Sequence, residues 1–256
     1  MFAAKARLAA VLLGLLAAGP AWAVGSEKTP PVPDYKFSFE GPFGTYDRAA
    51  LQRGFHVYQQ VCSNCHSMKH VYYRNLSAIG LTEEQIKAVA ASVKVPGGTD
   101  DSGALVERPG LPSDHFRSPF PNDKAARAAN GGALPPDQSL IVKARENGSN
   151  YLVALLTGYR DPPAGVKVGD GQYYNLYMPG NQLAMPPPLS EGQLEYADGT
   201  KATVEQMAKD VATFLTWTSR PELEDRKRMG VKWAIFLSFA TVLSIAVKKR
   251  VWKDVH

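Results

Sequence analysis

Both cysteines of this chain lie within one five-residue stretch, Cys62-Ser63-Asn64-Cys65-His66. C-x-x-C-H is the attachment signature of a c-type haem. Two thiols three positions apart at a helix turn can reach the two vinyl groups of one porphyrin. The next residue, His66, then points its imidazole at the iron. A fold built on this motif must wrap a large flat cofactor, which replaces part of the core. Other readings of the same residues are weaker. A thioredoxin-like C-x-x-C belongs to a βαβ context, and no strand pattern here is persuasive. A zinc site needs four ligands, and there is no second cysteine pair. His56 and His70 are poorly spaced to complete such a set. A plain Cys62–Cys65 disulfide is the remaining, chemically bland alternative.

Covalent attachment suits an exported protein, and the chain carries export signals. Residues 1–23 hold Lys5 and Arg7, an apolar run over Leu8–Gly19, and Ala21-Trp22-Ala23. That is the pattern of a cleaved signal peptide, with the mature chain starting near Val24. As an anchor, a 12-residue run is too short for a core of roughly 30 Å. A second run, Trp233–Val247, has no charge, and extended back to Met229 it contains only Lys232. Nineteen residues at 1.5 Å rise give about 28 Å, enough to span. Lys248, Lys249 and Arg250 follow at once, and Trp233 and Trp252 flank the run. The positive-inside rule puts that tail in the cytoplasm. The alternative, a buried core helix, does not account for these flanks. The expected organisation is a signal peptide (1–23), a periplasmic haem c domain (24–219), a juxtamembrane linker (220–230), a transmembrane anchor (231–247) and a cytoplasmic basic tail (248–256). A chain cut near Ser219 is expected to be soluble and keep its haem.

The formal charge of +5 points first to an anionic partner, but its distribution removes that idea. Between Val24 and Ser219 there are 18 basic and 20 acidic residues. A nucleic-acid binder carries its basic face on the folded domain, so this class is excluded.

Within the body the spacing predicts helices separated by long turn-rich stretches. Asp47 caps a helix through about Val61, with Leu51, Phe55 and Tyr58 on one face. Thr82-Glu83-Glu84-Gln85 and Thr203-Val204-Glu205-Gln206 read as capping boxes. Asp137–Glu146 and Ser149–Leu156 also read as helical. Residues 94–122 hold nine Gly or Pro, and residues 158–192 hold twelve. Loops this long need a functional reason, and wrapping a cofactor supplies one. The fold class expected is mainly α: a helical domain like a class I c-type cytochrome, with long Pro/Gly-rich loops and one C-terminal transmembrane helix.

A single haem has a sixth ligand or an open site. His70 is too close to His66, and so is Met68. His56, His115, Met178 and Met185 remain. Met185 is the better candidate, because Pro186, Pro187 and Pro188 stiffen the loop that holds its thioether. His/Met ligation raises the potential and closes the iron to small ligands, which implies electron transfer.

The residues around these positions resemble the cytochrome c1 family of quinol–cytochrome c reductase (cytochrome bc1) complexes. The resemblance runs through Arg53-Gly54-Phe55-His56-Val57-Tyr58 into Val61–Met68, then Tyr73-Arg74-Asn75-Leu76. It continues in Ala125–Asp137, Leu155–Tyr159 and Met185-Pro186-Pro187-Pro188-Leu189, and includes the single terminal anchor. It covers nearly the whole mature chain. It implies that Cys62 and Cys65 hold one covalent haem c, that His66 and Met185 ligate the iron, and that Arg127 pairs with a haem propionate. It implies electron transfer from a Rieske iron–sulfur protein to a soluble c-type cytochrome, beside cytochrome b in a bacterial inner membrane. The anchor would also meet membrane lipid. Gln138 stands where the family usually has Leu, and Gly131 where it often has Asn. Asp100, Asp101 and Glu107, with Glu83 and Glu84, are candidates for an acidic docking face, against the alternative of scattered solvated charge. Two rivals stand beside this reading: another anchored monohaem carrier, and an open-haem enzyme such as a peroxidase.

Overall fold

The computed structural model describes residues 29–255. The expected signal peptide lies outside them, as does His256. The elements run α1 (Arg48–Gln60), a 3₁₀ turn at Cys62–Asn64, a 3₁₀ helix at Tyr73–Ile79, α2 (Glu83–Ala91), β1 (Lys94–Thr99), β2 (Leu105–Pro109), α3 (Asp123–Ala129), α4 (Gly148–Thr157), β3 (Tyr173–Tyr174), β4 (Gln182–Leu183), α5 (Val204–Ser219) and α6 (Leu223–Val251). The domain is mainly helical, as the periodicity predicts.

The caps behave as local chemistry dictates. Asp47 accepts from the amides of Ala49 and Ala50 and starts α1. Thr82 and Gln85 satisfy each other's backbone amides at the start of α2. At α5 only half of the expected box forms. Thr203 accepts from the Gln206 amide, while the Gln206 side chain turns away to Asp210 Oδ2, 3.1 Å distant.

Two expectations are corrected. Residues 137–146 form consecutive turns, not a helix. The Asp137 carboxylate takes the Ser139 and Lys69 amides and the Ser67 hydroxyl, and Gln138 N donates to Ser67 O. These sideways bonds compete with an i→i−4 ladder. Two small antiparallel sheets also exist where no strand was expected. In β1–β2, Lys94 pairs with Pro109 and Thr99 with Leu105, across a bulge between Pro96 and Gly98. The hairpin is almost wholly exposed, so it carries no alternating pattern to read. β3 and β4 have two residues each, too short for any period.

The core is organised by the crossing of α1 and α5. Leu51, Val57, Met207, Val211 and Phe214 are fully or almost fully buried there. Gly54 permits the close approach. A Cβ at this position would stand 2.0 Å from the Asp210 carbonyl oxygen and 2.8 Å from Phe214 Cβ. Gly54→Ala is therefore expected to destabilise the domain by about 3 kcal/mol, at the upper end of overpacking costs. A denaturant midpoint unchanged from wild type would contradict this.

The anchor helix starts earlier than expected. The segment 220–230 is not a separate linker, because α6 begins at Leu223. Leu223 is buried in the domain core. Glu224 accepts from Tyr46 N at 2.7 Å and from Arg48 Nη2 at 2.7 Å. Tyr46 Oη donates to Arg220 O, and Lys227 Nζ donates to the carbonyls of Phe39 and Gly44. The first turns of α6 are thus clamped to the body. A cut after Lys227 keeps these contacts, and a cut at Ser219 removes them. Beyond them α6 has the length and apolarity of a membrane span, and none of its most apolar window is buried.

Candidate haem site

The end of α1 delivers the motif. Ser63 Oγ donates to Gln59 O at 2.8 Å and Asn64 Nδ2 to Gln60 O at 3.1 Å, which satisfies carbonyls left open at the helix end. The amides of Cys65 and His66 both donate to Cys62 O, at 3.2 and 2.9 Å. The motif is therefore a compact reversal with both cysteines unpaired. The disulfide alternative does not form. Burial pushes the Cys62 thiol up to about 12, which keeps it protonated.

His66 Nδ1 lies 2.8 Å from Pro136 O. A carbonyl only accepts, so Nδ1 carries the proton and Nε2 keeps its lone pair. Burial holds the imidazole below its ordinary pKa, hence neutral near pH 7. Pro136 is itself held in place. Asp137 next to it binds Ser67 Oγ at 2.7 Å and Lys69 N at 2.9 Å, so the 66–69 and 135–139 segments are laced together. Gln138 N belongs to this lacing, while its Oε1 is buried without a hydrogen-bond partner among the described residues.

A cleft of about 760 Å³ opens beside this lacing. Cys65, Pro136, Ala126, His115 and Arg117 are among the residues around it. Phe116 forms its inner wall and stacks on Tyr73 at 4.8 Å between ring centroids. His66, Met185 and Arg127 are not among the lining residues. Arg127 is exposed and donates from Nη1 to Gly132 O at 3.0 Å, tying α3 to the turn that follows it.

Met185 is half-buried in the loop after β4. Its carbonyl accepts from Tyr159 Oη at 3.0 Å. The β3–β4 connection that leads into that loop is braced by two buried asparagines. Asn175 Nδ2 donates to Leu155 O, and Asn181 Nδ2 to the carbonyls of Asn175 and Leu176. Met178 is already engaged, with Tyr151 Oη 3.7 Å from its sulfur. No hydrogen bond to the Met185 sulfur is found among the described residues. His115 is committed elsewhere, with its ring centroid 3.8 Å from that of Tyr72.

Sequence reasoning nominated Cys62, Cys65, His66, Met185 and Arg127 but did not reach the residues that support them. Pro136 acts through its backbone carbonyl, Asp137 through its carboxylate, Tyr159 through its hydroxyl and the Asn175–Asn181 pair through buried amides, all toward distant segments, which no local pattern signals. The acidic candidates are only partly free. Glu83 pairs with Lys87, and Asp100 caps its own turn through Ser102 and Ala104.

Asp114, on the cleft wall, holds Arg108 through two bonds of 2.6 and 2.8 Å. The Arg108 guanidinium lowers its pKa to about 2. A depressed carboxylate contributes fully above its unfolded value near 3.9 and loses that contribution as pH falls through the folded one. Asp114→Asn is expected to cost less than about 1 kcal/mol near neutrality, since Arg108 is well exposed. The difference from wild type should vanish by about pH 2 in thermal melts. A difference independent of pH would contradict the pairing.

Two unpaired thiols, a neutral imidazole with Nε2 presented, an adjoining cleft and a free thioether in a braced loop form a donor set that fits a covalently held iron porphyrin. No group of three or more His, Cys, Asp and Glu side chains suited to a bare metal ion occurs among the described residues.

Comparison with known proteins agrees with this chemistry. The family model described as "Cytochrome C1 family" matches residues 37–255. The chain is 52% identical over 220 residues to "Cytochrome c1-2, heme protein, mitochondrial" of Solanum tuberosum, covering 86% of this chain and 85% of that protein. It is 48% identical to "Cytochrome c1" of Rhodospirillum rubrum, covering 86% of each. It is 48% identical to "Cytochrome b-c1 complex catalytic subunit, mitochondrial" of Candida albicans, covering 87% of this chain and 78% of that one.

Proposed function

This chain belongs to the cytochrome c1 family, and from that premise we propose that it is the haem-c subunit of a bacterial quinol–cytochrome c reductase. It takes electrons from a Rieske iron–sulfur protein and passes them to a soluble c-type cytochrome. The complex is the enzyme, and this chain is its carrier. Cytochrome b is the expected neighbour of α6, and membrane lipid surrounds the rest of that helix. The body faces the periplasm and the basic tail the cytoplasm.

Each residue has one task. Cys62 and Cys65 tether one haem c by thioether bonds. His66 would offer Nε2 as a ligand, and Pro136 O fixes the tautomer that leaves this nitrogen free. Met185 would supply its sulfur as the second ligand. Arg127 supplies guanidinium donors for a propionate. A haem held there supplies a one-electron couple, with no substrate bond made or broken. Phe116 and Tyr73 keep water from the inner wall, and Tyr159 and the asparagine pair keep the Met185 loop from wandering.

The observation that carries this reading is the His66–Pro136 contact immediately after two unpaired thiols. The test is a chain ending at Lys227, matured with haem. It should be soluble, carry one haem that survives acid–acetone extraction, and reduce a soluble c-type cytochrome in stopped flow. Extractable haem, or no transfer, would overturn the proposal.

A further inference from the structure

A second cavity, of about 590 Å³, lies where the body meets the anchor helix. Its walls come from the N-terminal segment, the turns before α4 and the first turns of α6. Five cations line it, Lys143, Arg145, Arg220, Arg226 and Lys227, against one carboxylate, Glu40. Among the described residues only Arg226 of these five forms an ion pair, with Glu222 at 3.6 Å. The body as a whole carries slightly more acid than base, so this concentration of positive charge is local, with Lys227 Nζ also held by the Phe39 and Gly44 carbonyls. The start of α4 opens into the same cavity through Gly148 and Ser149, with no side-chain cap. That end of a helix adds to the attraction for an anion.

Position along α6 identifies the anion. From Lys227 to Trp233, the start of the uncharged run, is six residues, or about 9 Å of helix. The polar zone of a bilayer is roughly 5–8 Å deep on each side. The clamp through Tyr46, Arg48 and Glu224 fixes α6 on the body, so the cavity is held at that height. Below it, Met229 and Trp233 are about half exposed on the helix and offer an apolar track.

We propose that this cavity binds the phosphate headgroup of an anionic phospholipid from the leaflet on the body's side, with the acyl chains running down α6. A free phosphate would satisfy the cations but would make no use of the apolar track. The lipid therefore ties the orientation of the body to the membrane surface, independently of the basic tail at the other end of the helix.

The test uses the full-length, haem-loaded protein in phosphatidylcholine nanodiscs doped with phosphatidylglycerol. Lys248→Gln, Lys249→Gln, Arg250→Gln and Lys253→Gln remove the tail's cations in every sample. Native mass spectrometry then counts retained phosphatidylglycerol. The cavity variant is Lys143→Gln with Arg145→Gln, both at exposed positions, with the haem spectrum checking the fold. Removing two cations should raise the lipid fraction needed for half-retention by about tenfold or more. A Lys143→Arg variant should keep wild-type retention. Equal retention by the wild-type cavity and the double variant overturns the site. Displacement of the lipid by millimolar inorganic phosphate overturns the lipid assignment in favour of a free-anion site.

Discussion

Replacing Met185 with Leu is expected to remove the sulfur–iron charge-transfer band, open the iron to CO, and lower the reduction potential by on the order of 0.2 V. Axial ligands move haem potentials over a range of about 0.8 V, and a thioether favours the reduced state. At 59 mV per tenfold for one electron, such a fall shifts the equilibrium with any acceptor by more than about a thousandfold. Transfer onward would become fast and reduction by the donor would nearly stop. The control is Met178→Leu, which removes the methionine of the preceding β3–β4 connection. Its sulfur is already engaged by Tyr151. That variant should keep the band and the potential. The opposite pattern would move the ligand to Met178. Rapid CO binding to the reduced wild-type protein would mean an open site and no thioether ligand at all.

Arg53→Met is the substitution expected to cost most in stability, about 3–5 kcal/mol. Arg53 on α1 reaches Asp210 on α5 through Nε at 2.9 Å and Nη2 at 3.0 Å. Its remaining donor takes Asp198 at 2.7 Å. The Asp210 side chain is only 2% exposed. Removing the guanidinium leaves that carboxylate buried without its counter-charge, a far larger loss than breaking an exposed pair. The comparison is Lys87→Met, which breaks the exposed Glu83–Lys87 pair on α2 and should leave the midpoint almost unchanged. Denaturant midpoints of the haem-loaded protein measure both. The Arg53→Met, Asp210→Leu double variant should recover much of the loss, because an apolar pair needs no counter-charge. Equal, small effects of Arg53→Met and Lys87→Met would contradict a buried clamp between α1 and α5.

How much of this was legible beforehand follows from the range of each signal. Asp47, Thr82 and Thr203 act on amides two or three residues away, so the starts of α1, α2 and α5 are readable from neighbours. Cys62, Cys65 and His66 are adjacent in sequence and carry their own spacing. The segment 137–146 misled because its fate is decided by Ser67 and Lys69, some seventy residues earlier. The hairpin of β1 and β2 carried no signal, because strands exposed but for Val95, with Pro96, Gly97 and Gly98, have no alternation. The start of α6 was set too late because Leu223, Glu224 and Lys227 read as a solvated connector. Only the fold brings Tyr46 and Phe39 against them. The nomination of Met185 rested on its prolines. The brace that supports it, from Tyr159 and the Asn175–Asn181 pair, is a tertiary arrangement with no local pattern.

The central claim is that this chain works inside a quinol–cytochrome c reductase. A tagged full-length chain should be withdrawn from its native membrane in mild detergent, with cofactors read by absorption and electron paramagnetic resonance. A b-type haem and a Rieske-type [2Fe–2S] signal are expected to co-purify with the c-type haem. Recovery of a single c-type haem, with neither of the others, would contradict it and make the chain a free anchored carrier.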